Sequence, residues 1–250
     1  MINAEGTFIY MFIFLIGLIL GSFYNVVALR TLNGGNLSFP PSHCIKCKHR
    51  LSIADLFPVL SYLFLKGKCR YCGAPISPIY PIGELLTAVS YTLIIYQFGF
   101  SMMALIQIVF ITIMIWSTVT DLKETIVPDR FIVIGLTLVL ILRAIYGVDF
   151  VHFLISGIVS FGALFLIFIL SNGKMGGADV KLYALIGLSI GWVDSLGSLF
   201  YASIIGLLFQ IPSIVKNKGQ IDRKKEIPFV PFITLGVLCT YVFSFFDFAI

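Results

Sequence analysis

Apolar residues run almost unbroken through most of this chain, in long blocks parted by short basic, acidic or glycine- and proline-containing segments. About eight blocks stand out, over residues 8–29, 81–98, 102–120, 130–147, 152–171, 181–193, 197–215 and 229–249. Roughly 20 apolar residues carry a helix across a bilayer. The pattern therefore predicts an all-α polytopic membrane protein with about eight transmembrane helices. The sixth block is the weak one, since Lys181 to Trp192 gives only about 18 Å of helix at 1.5 Å per residue. Either it begins inside the membrane near Gly176, or it does not cross fully. A broken entry at Gly176-Gly177 is permitted where it lines a protein cavity.

Composition agrees with this reading. The 250 residues are 59% hydrophobic and 12% charged, with a mean hydropathy of +1.02. A soluble domain of this size must present a wetter outside to water. The net charge of +5 is too modest for a nucleic-acid footprint, and no nucleic-acid partner is expected. Where the basic residues fall is more informative. Seven lie between Arg30 and Arg70, Lys123 and Arg130 flank the exit of the third block, Lys174 and Lys181 bracket Asp179, and five lie between Lys216 and Lys225. With eight spans all four groups reach one face, which the positive-inside rule makes cytoplasmic. Both termini are then outside, with short outer connections near Phe100, Asp149 and Asp194. Only Arg143 falls elsewhere. The first block lacks a basic n-region and a small-x-small cleavage site, so it reads as a retained helix rather than a cleaved signal.

The chain thus divides into a first transmembrane helix (1–29), a cytoplasmic loop (30–80) and a membrane part (81–250). The loop's apolar middle, Ile53 to Leu65, is too short and too proline-broken to span. It lies against the membrane face or packs on the cysteine knuckles. The basic loop from Lys216 to Pro228 reads as a solvated, positive-inside stop signal.

Four of the five cysteines form two CxxC pairs, Cys44-Ile-Lys-Cys47 and Cys69-Arg-Tyr-Cys72, with 21 residues between them. Two such knuckles supply four thiolates in a tetrahedron, which suits zinc. Four cysteine ligands leave no open coordination position, so the metal expected is structural and orders a loop too small for its own core. Paired disulfides would need an oxidising compartment, against the inside placement of the loop. His43 and His49 are close enough to substitute as ligands but read as exposed loop residues, and Cys239 as a small core side chain.

Asp121, in Thr118-Val-Thr-Asp121-Leu-Lys-Glu, and Asp179, in Gly176-Gly-Ala-Asp179-Val-Lys, both fall at the cytoplasmic edge of their blocks. A carboxylate at the edge of lipid is costly and is a functional candidate. Two that share one proton can do aspartyl proteolysis, one drawing a proton from water and the other polarising the scissile carbonyl. Gly176 and Gly177 would let a substrate backbone come close. Singly, each aspartate also reads as a helix-end cap, and Asp179 is a reasonable N-cap. Glu84, Glu124 and Asp129 are competing acids that spacing alone does not remove. There is no HExxH motif, and His152, the one histidine near a span, sits at the outer edge, away from any serine nucleophile at the inner face. A rival of another class is an ion-coupled transporter whose cysteine loop senses metal, but such carriers place their acids near the bilayer midplane. A non-catalytic assembly factor is a third.

The ordered motifs resemble one family, the bacterial type IV prepilin leader peptidases and N-methyltransferases, which are membrane aspartyl proteases of the GxGD type. Gly21-Ser-Phe-Tyr-Asn25-Val-Val with Arg30 is similar to its opening motif, and Ser42-His-Cys44-x-x-Cys47 to its first knuckle. Asp55-Leu-Phe-Pro58-Val-Leu-Ser61-Tyr62 follows, then Gly67-Lys-Cys69-Arg-Tyr-Cys72, Ile76-Ser77 and Tyr80-Pro81-x-x-Glu84. Asp121 with Ile126-Val-Pro128-Asp129, Gly177-Ala-Asp179-Val-Lys181-Leu and Pro228-Phe-Val-Pro231-Phe232 complete the order. The resemblance covers nearly the whole chain. It implies that Asp121 and Asp179 are the catalytic pair and that residues 81–250 are the peptidase part. It implies prepilin or pseudopilin substrates, entering from membrane lipid and cut after a glycine at the cytoplasmic face of the bacterial inner membrane. It further implies methylation of the new amine from S-adenosylmethionine, with the zinc loop (Cys44, Cys47, Cys69, Cys72) tied to that activity. The usual GxGD reads Gly176-Gly177-Ala178-Asp179 here; alanine narrows the backbone but leaves the carboxylate in place. Thr120 before Asp121 favours the prepilin branch over presenilin-like relatives, which carry tyrosine there.

Overall fold

The computed structural model describes residues 4–36, 41–172, 175–216 and 227–247. Lys174 and all of the basic segment Lys216–Lys225 beyond its first lysine lie outside the described residues. The described chain has no named strand, only two isolated bridges in the cysteine segment. Its helices are α1 (Ala4–Leu32), α2 (Leu60–Phe64), α3 (Ile79–Phe98), α4 (Met102–Glu124), α5 (Asp129–Tyr146), α6 (Phe150–Leu170), α7 (Gly177–Ile190), α8 (Trp192–Lys216) and α9 (Val230–Asp247), with a 3-10 turn at Ile53–Asp55. Each of the eight apolar blocks coincides with one long helix. Among the described residues, five of these helices, α1, α3, α4, α6 and α8, are long and apolar enough to cross a membrane. The protein is a multi-pass membrane protein, and its helices close their own backbone hydrogen bonds as lipid requires. The chain divides into two compact units, Met1–Tyr96 and Gln97–Ile250.

In the first unit α1 packs on α3 through small residues. A Cβ on Gly21 would lie 2.7 Å from the Glu84 Cα, and a side chain on Gly17 would collide with the Ala88 backbone. Gly17-x-x-x-Gly21 thus works as small residues do between membrane helices, letting two backbones approach. One turn further along, Asn25 donates its amide to the Tyr80 carbonyl at 2.9 Å, and Gly83 leaves room for it. The opening motif is therefore a helix-crossing motif.

The second unit is built around α7, whose residues from Asp179 to Ser189 are nearly all buried. It packs on α4, α5, α6 and α8. Gly187 has no space for a Cβ against Ser156 and Ser160 of α6. The helix begins at Gly177, four residues before the expected start, and has 14 residues in all. At the usual helical rise that length covers about 21 Å. It still falls short of a hydrocarbon core of about 30 Å. The expected turn near Asp194 sits instead at the single residue Gly191, whose φ of 89° suits glycine, and Asp194 falls in the first turn of α8. Arg143, the lone basic residue off the basic face, is completely buried. Its guanidinium lies 3.3 Å over the Phe153 ring and donates to the Ser189 carbonyl near the C-terminal end of α7. Gln107 donates to the same carbonyl at 2.8 Å, and Tyr241 donates to Gln107 at 2.7 Å. Five helices meet at this point.

Candidate active site and metal centre

Asp121 lies in the last turn of α4. That helix stops at Thr125, which takes a left-handed conformation and returns its N–H to the Asp121 carbonyl at 2.8 Å. The side chain turns inward and is 6% exposed. Its Oδ2 accepts the backbone N–H of Val230, the first residue of α9, at 2.9 Å. About one turn along both helices Thr118 and Thr234 share a hydroxyl hydrogen bond of 2.8 Å. Asp121 thus caps a helix, though not its own. The closing Pro228-Phe-Val-Pro231-Phe232 motif supplies the amide that holds it.

Asp179 is the third residue of α7 and is 7% exposed. Gly176, not Asp179, is the N-cap, and no side chain caps that helix. Among the described residues the Asp179 carboxylate accepts no hydrogen bond. A Cβ on Gly176 would stand 3.0 Å from the Asp179 Oδ2, whereas one on Gly177 would meet nothing within 4 Å. Neither glycine has a positive φ, so their backbone freedom is not what this turn uses. Gly176 makes room for the carboxylate, Gly177 leaves its own flank open, and Ala178 sits in ordinary helix. α4, which carries Asp121, packs on α7, which carries Asp179, and the Asp121 charge reaches Asp179.

The competing acids separate cleanly. Glu124 and Asp129 are exposed, and Asp129 pairs with Lys181 at 2.7 Å, tying the start of α5 to that of α7. Glu84 is buried in the first unit, where its Oε2 accepts the Val59 N–H at 2.8 Å. Of the five candidates in the sequence, only Asp121 and Asp179 are buried in the second unit.

The four cysteines also come together. Their Sγ atoms all lie within 4.8 Å of one another, with Cys44 and Cys72 at 3.9 Å. Zn–S bonds of about 2.3 Å in a tetrahedron set an S···S edge of about 3.8 Å, so the thiols fit such an ion. The two knuckles are one turn used twice. Cys44 and Cys69 each donate their N–H to the carbonyl five residues on, His49 and Ala74, and accept the N–H four residues on, from Lys48 and Gly73. Lys48 and Gly73 both have positive φ. His43 and His49 are not in the cluster: His43 Nδ1 is hydrogen-bonded to the Pro41 carbonyl, and His49 stacks on Tyr71. Asp55 ties the segment together, taking Arg70 Nε at 2.6 Å, Tyr71 Oη at 3.1 Å, and the N–H and hydroxyl of Ser52. Burial works to raise the Asp55 carboxyl, but the hydrogen bonds from Ser52, Arg70 and Tyr71 outweigh it and hold it at about 2.

Sequence reasoning missed one contributor and read two others differently. The Val230 amide carries no side-chain signature. Gly176 was visible, but for a different reason. Arg143 announced itself as the one misplaced charge.

Residues 15–98 match the model of the Bacterial Peptidase A24 N-terminal domain, and residues 108–211 that of the Type IV leader peptidase family. The second match contains both aspartates. The chain is 34% identical to a Prepilin leader peptidase/N-methyltransferase of Bacillus subtilis over 234 residues, 93% of each chain. A protein of the same description from Klebsiella pneumoniae is 34% identical over 209 residues, 77% of this chain and 90% of that one. A Type 4 prepilin-like proteins leader peptide-processing enzyme of Escherichia coli is 31% identical over 249 residues, 90% of each. No solved structure matches the chain.

Proposed function

The chain belongs to the type IV leader peptidase family, and we propose that it removes the leader peptide of type IV prepilins or pseudopilins at the cytoplasmic membrane face and then N-methylates the new terminus. The observation that carries the peptidase half is the pair of buried carboxylates, Asp121 on α4 and Asp179 on α7, within the family match. In this reading the two share one proton, since like charges so close do not both ionise cheaply. A carboxylate that accepts a backbone N–H is the better holder of negative charge. Asp121, fixed by Val230, therefore takes the base's part and draws the proton from water. Asp179 takes the acid's part and polarises the scissile carbonyl. The open flank at Gly177 admits the extended substrate backbone. The prepilin enters from lipid as a helix with its basic leader in the cytoplasm, and the Gly–X bond is cut near the interface. Orientation follows the basic groups, which put the cysteine loop inside the cell and both termini outside the inner membrane.

Cys44, Cys47, Cys69 and Cys72 would hold one zinc ion, which orders residues 41–78 and takes no part in hydrolysis. S-adenosylmethionine supplies the methyl group when bound. The carrier reading finds no support, since the family match and the named relatives are leader peptidases. The test is incubation of purified protein with a prepilin, read by mass spectrometry. Loss of the leader is expected, followed by one added methyl mass when S-adenosylmethionine is supplied. An intact prepilin would reject the peptidase reading.

A further inference from the structure

The cysteine segment carries an apolar face that its own fold leaves uncovered. Leu60, Leu63 and Phe64 share one side of α2 by their spacing and are 46%, 63% and 82% exposed; Phe57, leading into the helix, is 58% exposed. Such side chains in water need a reason. Two observations say what covers them. The first is depth. Val59, the residue before α2, donates its N–H to Glu84 and takes a positive φ of 58°, strained for a β-branched side chain. Glu84 is the sixth residue of α3, about 7.5 Å along that helix. Its neighbours Ile82 and Leu85 are exposed apolar residues of a helix long enough to cross the membrane, so this level already meets lipid. The hydrogen bond pins the root of α2 there. The second is charge. Residues 41–78 contain six basic residues, Lys46, Lys48, Arg50, Lys66, Lys68 and Arg70, all exposed, against one acid, Asp55, which Arg70 already pairs.

We propose that Phe57, Leu60, Leu63 and Phe64 form an interfacial anchor, seated at the headgroup–acyl boundary of a bilayer containing anionic lipid, with the basic residues around it facing the headgroups. An apolar face with a cationic surround is the chemistry of in-plane membrane binding. The anchor holds the metal module flat against the membrane from which α1 and α3 emerge. Nothing in it depends on what the aspartates do.

The test uses the full-length protein in nanodiscs, with Phe64→Trp and, separately, Phe57→Trp. Both positions are exposed, so either substitution leaves the module's thiols and the Asp55 cluster untouched. Emission of the added tryptophan is read as the difference from the parent, which has Trp116 and Trp192. With phosphatidylglycerol present and bromines placed shallow on the acyl chains, quenching on the order of twofold is expected, with weak quenching by aqueous iodide. Lys66→Gln/Lys68→Gln, or replacement of phosphatidylglycerol by phosphatidylcholine, is expected to reduce the lipid quenching. Iodide quenching without bromolipid quenching at both positions would place the face in water and overturn the proposal. So would protection from both quenchers that appears only with added prepilin or at high protein concentration, which would make the cover a substrate or a second copy.

Discussion

Replacing Asp121 or Asp179 by asparagine separates chemistry from packing at this site. Asparagine keeps an oxygen that can accept the Val230 N–H now held at 2.9 Å by Asp121. The loss to the fold is the difference between a charge-assisted and a neutral hydrogen bond, about 1 kcal/mol. Asp179 accepts no hydrogen bond among the described residues, so its replacement costs the fold less still. The catalytic loss is larger: a positioned general acid or base contributes about 10²–10⁴-fold, or roughly 3–5 kcal/mol. Each single variant should therefore insert and purify like the parent while leader removal falls by two to four orders of magnitude. The double variant discriminates further. If one proton is shared, neither carboxylate works without the other, and the double variant should be no slower than the worse single one. Independent contributions would multiply instead, to about 10⁴–10⁸-fold. The assay is the initial rate of leader loss by mass spectrometry, with Glu124→Gln and Asp129→Asn as exposed acids expected to stay within about threefold of the parent. Either single variant retaining a tenth of the parent rate, or a multiplicative double, would refute the shared-proton pair.

Val230→Pro, at a first helical position where proline is tolerated, removes the N–H that Asp121 accepts at 2.9 Å; about a 10- to 100-fold slower cleavage with an unchanged melting temperature is expected. Gly187→Ala forces a methyl into Ser156 and Ser160 and should destabilise the protein by about 1–3 kcal/mol. Gly177→Ala meets nothing among the described residues and should leave the melting temperature unchanged or slightly raised, as a melting curve in detergent will show. Cys44→Ser/Cys69→Ser should abolish the single zinc per chain, and unchanged metal content would reject that ligand set. Asp55→Asn should speed chelator-driven zinc release at pH 7. Because the folded Asp55 carboxyl is held at about 2, below its usual 3.8, its stabilisation is complete above about pH 5 and lost as pH falls through 4 towards 2. The difference between Asp55→Asn and parent should accordingly be flat from pH 6 to 8.

What the sequence disclosed follows from how strongly each feature is forced. A continuous apolar run of about 20 residues spans lipid only as a helix, so each block announced its helix, though the bounds of α7 and α8 were off by several residues. Paired CxxC spacing has few uses, and the four thiols do converge. The turn between α7 and α8 was placed near Asp194, in the gap between two apolar blocks, yet Gly191 alone makes it through a positive φ that apolar patterning cannot show. The partner of Asp121 was invisible for a stronger reason: it is a backbone amide 109 residues away, and every residue but proline has one. Gly176 was conspicuous in the sequence as a place where a substrate backbone could come close; what the fold adds is that the space beside it holds the chain's own Asp179 carboxylate.

The two ends of α7 explain why a fully buried arginine stands away from every other basic residue. The last carbonyls of a helix have no partner within it, and in an apolar bundle each must find a donor elsewhere. At Ser189 the need is met twice over, by Arg143 and by Gln107, which Tyr241 orients. Arg143 also rests on Phe153, although among the described residues its Nε and Nη1 find no partner. Burying a cation this way is costly, and an apolar residue would often serve stability as well. The arrangement instead fixes where α7 ends along the axis of the bundle. Among the described residues its other end is bare: no side chain caps it, a Cβ on Gly177 would meet nothing, and the Asp179 carboxylate accepts no donor. So short a helix, gripped at one end from α4 and α5, delivers its third residue at a set height beside the last turn of α4. On the proposed function, register set at Ser189 and Gln107 would be carried along α7 and α4 to Asp179 and Asp121, so that the polar node positions the carboxylate pair from the far end of both helices.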